Sequence, residues 1–145
     1  MDTVIESVRE PGPRRASDTS SAVIRFAKDW QEFLEGGIRP SGELRIDYDP
    51  ERLTTCHTNW HGADIWNIRA YVRFHPGGQL FEGSVLKELR NGGLVYAHRP
   101  QPLPVTVPDD AVQVEIWFHT WYQLSSFCEA WDSRFGQNYW FEVAR

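Results

Sequence analysis

The sequence predicts an all-β fold: an antiparallel β-sandwich of about seven or eight strands, of the C2, jelly-roll or carbohydrate-binding-module sort, with at most one short N-terminal helical turn. Three observations carry that expectation. From residue 43 onward apolar and polar residues alternate with period two. Clusters of Pro, Gly, Asn and Asp punctuate the runs at regular intervals. No stretch sustains the helical period. A chain of 145 residues suits one domain with one core, with residues 1–21, rich in Pro, Ser and Asp, as a flexible tail and 22–145 as the folded unit.

Each element has its own local reason. Ala22 to Ala27 suits a first strand. Asp29 with Glu32 has capping-box spacing for a helical turn stopped by Gly36-Gly37, with Trp30, Phe33 and Leu34 on one side. Leu44, Ile46 and Tyr48 alternate with Glu43, Arg45 and Asp47 until Asp49-Pro50 ends the strand. The strongest pattern follows: Trp66, Ile68, Ala70, Val72 and Phe74 face one way, and Asn67, Arg69, Tyr71, Arg73 and His75 the other. Pro76-Gly77-Gly78 then turns the chain into a second run, Gln79 to Leu86, making a hairpin. Arg90 to Pro100 reads as a loop around Asn91-Gly92-Gly93, with one short strand at Leu94 to Ala97. Val105 and Val107 mark a short strand before the Pro108-Asp109-Asp110 turn. Val112, Val114, Ile116 and Phe118 then oppose Gln113, Glu115, Trp117 and His119. Phe127 to Trp131 and Asn138 to Val143 close the sandwich.

Composition excludes several classes. The net charge of −5 gives no attraction to a phosphate backbone, so nucleic acid is not an expected partner. No apolar run approaches the roughly 18 residues of a membrane span, and no export signal is visible, so a soluble cytoplasmic protein is expected. In that compartment Cys56 and Cys128 should be reduced thiols. No P-loop, G-x-G-x-x-G, G-x-S-x-G, H-E-x-x-H or C-x-x-C occurs. Cys56, His57 and His61 cluster without an evident fourth ligand, so neither metal nor cofactor is expected. The oligomeric state is left open.

The unusual feature is aromatic: seven Trp, five Tyr and eight Phe. If Val112, Val114, Ile116 and Phe118 fill the core, the opposite sheet face carries Arg69, Tyr71, Arg73, His75, Glu115, Trp117, His119, Trp140 and Glu142. Flat rings beside hydrogen-bonding groups suit a carbohydrate or other polyhydroxylated ligand, the rings covering C–H faces while Arg, Glu and Asn meet hydroxyls. A noncatalytic binding module is therefore the leading expectation. The alternative is a small biosynthetic enzyme, a cyclase or isomerase, with acid–base residues among Glu115, His119, Glu142 and Asp132. A protein-interaction domain using the same face is a third.

At the C-terminus, Trp131-Asp132-Ser133-Arg134-Phe135-Gly136-Gln137-Asn138-Tyr139 resembles the W-D-N-N-x-G-x-N-Y motif of starch- and glycogen-binding modules. The resemblance implies a β-sandwich and an α-glucan site involving Trp131, Asp132, Asn138 and Tyr139, with Ser133 and Arg134 replacing the paired Asn; the aromatic face read from alternation would aid that site through Trp117 and Trp140. Residues 22–143 also resemble a family of small bacterial proteins of unknown function. That likeness is carried by Tyr48-Asp49-Pro50-Glu51-Arg52-Leu53, Cys56, Arg73-Phe74-His75-Pro76-Gly77-Gly78 and Cys128-Glu129-Ala130-Trp131-Asp132-Ser133 through Asn138-Tyr139-Trp140-Phe141. Its recurrent Cys pair implies that a disulfide is as plausible as free thiols in an exported relative.

Overall fold

A computed structural model describes residues 21–144. The expected tail, residues 1–21, lies almost wholly outside the described residues. Strands β1 (Ser21–Phe26), β2 (Glu32–Glu35), β3 (Glu43–Tyr48) and β10 (Leu103–Thr106) form a four-stranded sheet in the order β10-β3-β1-β2. The second sheet holds β6 (Asn67–His75), β7 (Leu80–Ser84), β11 (Gln113–Gln123), β12 (Phe127–Asp132) and β13 (Tyr139–Glu142). Along one edge of β11, β13 pairs with the first half and β12 with the second. Two small hairpins, β4 (Asn59–Trp60) with β5 (Ala63–Asp64) and β8 (Leu86–Asn91) with β9 (Leu94–Pro100), complete the all-β fold. The pairings are antiparallel except β1 with β3, which is parallel.

The two sheets meet through the residues that alternation assigns inward. Ile24 and Phe26 of β1 and Leu44, Ile46 and Tyr48 of β3 face Ile68, Ala70, Val72 and Phe74 of β6 and Val114, Ile116 and Phe118 of β11, all buried. Phe118 lies edge-on to Phe26 at 4.7 Å between ring centroids and 4.3 Å from Tyr48. Burying these rings together with the aliphatic side chains supplies the apolar stabilisation of the sandwich.

Three local expectations are corrected. Residues 29–35 form no helical turn. Asp29 instead accepts the Gln31 N–H within a tight turn closed by Ala27 N–H to Gln31 O, and the chain continues as β2, paired with β1. Asp29 therefore caps a turn, and backbone pairing with an open strand edge outweighs weak helix propensity. Residues 86–100 form a two-stranded hairpin rather than a loop with one short strand, because Asn91-Gly92-Gly93 supplies the positive φ of its turn: +60° at Gly92 and +90° at Gly93. Val112 is 48% exposed, since the strand begins one residue later and Ala111 takes the buried place.

Cys56 and Cys128 are joined in a disulfide, their Cα atoms 5.7 Å apart, which overturns the expected pair of free thiols. The fold carries Cys56, in the loop after the Pro50–Arg52 turn, onto β12, so proximity decides the pairing that composition could not.

Candidate functional site

The outer face of the five-stranded sheet carries the residues that alternation placed there. Tyr71 and Trp117 stand opposite on β6 and β11, their rings 5.5 Å apart and nearly parallel. Trp131 on β12 lies 6.4 Å from Tyr71 and stacks on His119 at 3.9 Å. Arg73 holds its guanidinium 5.4 Å over Trp117, and Trp140 stacks on His75 at 5.0 Å.

The polar groups of this face hold one another. Glu115 Oε1 lies 2.8 Å from His75 Nε2, and its Oε2 accepts from Asn138 Nδ2 at 2.6 Å. His119 Nε2 is 2.7 Å from Glu129. Glu142 accepts from Gln113, and Glu82 pairs with Arg69 at 3.2 Å.

Beside Trp131 opens a cleft of about 800 Å³ at the β12–β13 loop. Its walls are Trp131, Trp30 and Phe135, with Glu32, Arg134 and Gln137 supplying polar edges. Trp30 is 56% exposed, Trp131 51%, and Phe135 projects wholly into solvent. The backbone here is held in a costly conformation: φ is +68° at Trp30, +49° at Arg134, +59° at Phe135 and +63° at Asn138. For L-residues with a Cβ the left-handed region costs roughly 1–2 kcal/mol each. The loop tolerates it because Asn138 N–H bonds Ser133 O, Ser133 Oγ accepts the Gly136 N–H, and Asn138 is tied to Glu115. Strained, solvent-facing aromatics do nothing for the core, and such strain clusters where ligands are clamped.

Beneath the cleft lies a buried charged network. Arg52 uses all five of its donors: Nε to Asp132 Oδ2 at 2.8 Å, Nη1 to the carbonyls of Ala27 and Gln31, and Nη2 to Glu32 and Tyr139. Asp132 also accepts from Tyr48 Oη at 2.8 Å and from Tyr139 Oη. Burial, followed by the bond to Asp132, pushes the Tyr139 hydroxyl up to about 12; burial and the same carboxylate drive Tyr48 higher still. Both phenols thus remain donors throughout the neutral range. Burial alone would lower Arg52, but its bonds to Asp132, Tyr139 and Glu32 outweigh it and hold the guanidinium charged.

A second cluster sits away from the cleft. Trp66 is stacked by His57 at 3.5 Å and contacted by His98 at 4.1 Å, and His98 Nδ1 lies 3.2 Å from Asp64. Burial, reinforced by His98, lowers His57 to about 4. The unfolded ring titrates near 6.5, so between those values the unfolded chain binds more protons. The stability His57 confers is therefore complete above about pH 6.5 and is lost as pH falls towards 4. Because the ring is only half withdrawn from water, the loss is on the order of 1–2 kcal/mol. Urea midpoints measured from pH 7 to 4 should fall more steeply for the native chain than for His57→Phe, which keeps the stack on Trp66. Equal slopes would refute this.

The residues anticipated from the sequence thus separate. Tyr71, Trp117, Trp131 and Trp140, with Arg69 and Arg73, share one open face, and Trp131 also walls the cleft. Asp132 and Tyr139 form the cleft floor, but their oxygens belong to the Arg52 network, while Asn138 braces the loop. Glu115, His119 and Glu142 do not line the cleft with Asp132. Cys56, being in a disulfide, is no thiolate ligand, and among the described residues no three His, Cys, Asp or Glu side chains gather as a metal site. Sequence reasoning missed Trp30, Glu32 and Phe135 as cleft walls and Arg52 as the centre of the network. The positions of Arg52 and Phe135 inside the two resembling segments were the available signal.

No helix among the described residues is long and apolar enough to cross a membrane. No curated protein and no solved structure matches the chain. Residues 15–144 match the Family of unknown function (DUF6209), and with nearly the whole chain covered, the protein belongs to that family.

Proposed function

We propose that the protein is a noncatalytic binding module whose cleft takes a carbohydrate or similar polyhydroxylated ligand. The observation that carries this reading is the pair of exposed rings, Trp30 and Phe135, held on left-handed backbone across from Trp131. Rings so presented stack on the C–H faces of a sugar, while Glu32, Arg134 and Gln137 at the rim meet its hydroxyls. The likeness of residues 131–139 to the starch- and glycogen-binding motif supports the same chemistry. The carboxylates an enzyme would need are engaged by His75, Asn138, Gln113 and Arg52 instead of converging on the cleft, which favours binding over catalysis. The disulfide suits an oxidising compartment better than the cytoplasm expected from the sequence.

Titration with soluble oligosaccharides, maltohexaose among them, should change Trp fluorescence. Trp131→Ala or Trp30→Ala should weaken binding at least about tenfold, equivalent to roughly 1.4 kcal/mol. Unchanged fluorescence across all neutral and acidic oligosaccharides tried would overturn the proposal.

A further inference from the structure

The aromatic path does not end at the cleft. From Trp131 it continues to Tyr71 at 6.4 Å, to Trp117 at 5.5 Å, and ends under the Arg73 guanidinium, 5.4 Å above the Trp117 ring. Because β11 lies between β12 and β6, the three rings form a cluster across neighbouring strands, with Tyr71 and Trp117 stacked on each other. The charges along this path are unevenly satisfied. Glu115, Glu129, Glu142 and Glu82 each have a side-chain partner, and Arg69 is paired with Glu82. Arg73 stands directly across from Glu115, but both oxygens of that carboxylate are taken by His75 and Asn138. Among the described residues of this face, Arg73 is the ionised side chain with no hydrogen-bond or ion-pair partner. Its contact with Trp117 leaves the edge donors of the fork unused.

Building on the binding reading above, we infer that the ligand is an acidic glycan, a chain of uronate-bearing sugars that reaches from the cleft past Trp131 over this ring cluster and places a carboxylate on Arg73. A planar guanidinium fixed over an indole matches a carboxylate in bidentate fashion, and the ring beneath limits its loss of freedom on binding. A neutral glucan would cover the same rings but leave that fork without a charged acceptor.

The experiment compares hexamers of galacturonate, mannuronate and glucuronate with their methyl esters, which keep the sugar backbone and remove the charge. Trp fluorescence and calorimetry would follow binding to the native chain, Arg73→Gln and Trp131→Ala, each first checked for an unchanged Tm. At least one hexauronate should bind about tenfold tighter than its ester at low salt. That gap should close in Arg73→Gln and narrow as salt rises, whereas Trp131→Ala should weaken acid and ester alike. Equal binding of acid and ester, a gap that survives Arg73→Gln, or binding of maltohexaose but of no hexauronate would overturn the acidic-glycan inference and leave the binding module standing. No binding by any of these sugars would overturn both.

Discussion

Asp132→Asn is expected to destabilise the fold by about 3–5 kcal/mol, the range found when one partner of a buried ion pair is removed. The substitution preserves shape, so the loss comes from charge: Arg52 stays buried, with only the partly exposed Glu32 to balance it. Two phenols that now donate to a carboxylate would donate to a weaker neutral acceptor. Arg52→Met should cost a comparable amount by stranding Asp132. The double variant should recover part of the sum, because it leaves no unpaired buried ion. Urea denaturation of the four proteins supplies the cycle. If Asp132 were chiefly a sugar contact, as the resemblance to glucan-binding modules implies, Asp132→Asn would impair binding and leave the urea midpoint in place. The geometry predicts the reverse: a large fall in midpoint, with Trp131-dependent binding retained by whatever fraction stays folded.

Removing the disulfide should have an effect of similar size. Cys56 and Cys128 are separated by 72 residues, and closing so long a loop restricts the unfolded chain by about 4 kcal/mol in the chain-entropy model. Cys56→Ser with Cys128→Ser is therefore expected to lower stability by about that amount, as is reductant added to the native chain. The loop after the Pro50–Arg52 turn would be freed from β12, and the cleft and buried network both draw on residues beside that tether. Thiol titration in denaturant without reductant should find neither cysteine reactive. Two reactive thiols, or a midpoint indifferent to reductant, would refute the prediction.

The strands were legible because their signal is local. Ile68 to Phe74 and Val114 to Phe118 alternate strictly, and a pleated strand buried on one face allows only one assignment of such a pattern. The outer face follows from the same periodicity, which places Tyr71, Trp117 and Trp140 there without reference to any distant partner. At residues 29–35 the four-residue capping pattern points to a helical turn, but pairing with the adjacent strand β1 outweighs it. Asp132 enters the expected glucan site only through the resemblance of residues 131–139 to starch- and glycogen-binding modules. Alternation along β12 turns it to the opposite face from Trp131, where Arg52 reaches it from the Pro50–Arg52 turn.

Local pattern is enough for the all-β class, the inward and outward faces of the principal strands and the gathering of aromatic residues on one side, since all three depend on neighbours one or two residues apart. Tertiary structure alone decided that Arg52 meets Asp132 across 80 residues, that Cys56 meets Cys128, and that Trp30 and Phe135 close on Trp131 to make a cleft. Those meetings depend on how the two sheets stack and where their connections cross. Ion pairs and disulfides leave no periodic trace in a single chain, because each is set by the position of a partner and not by the spacing of its own neighbours.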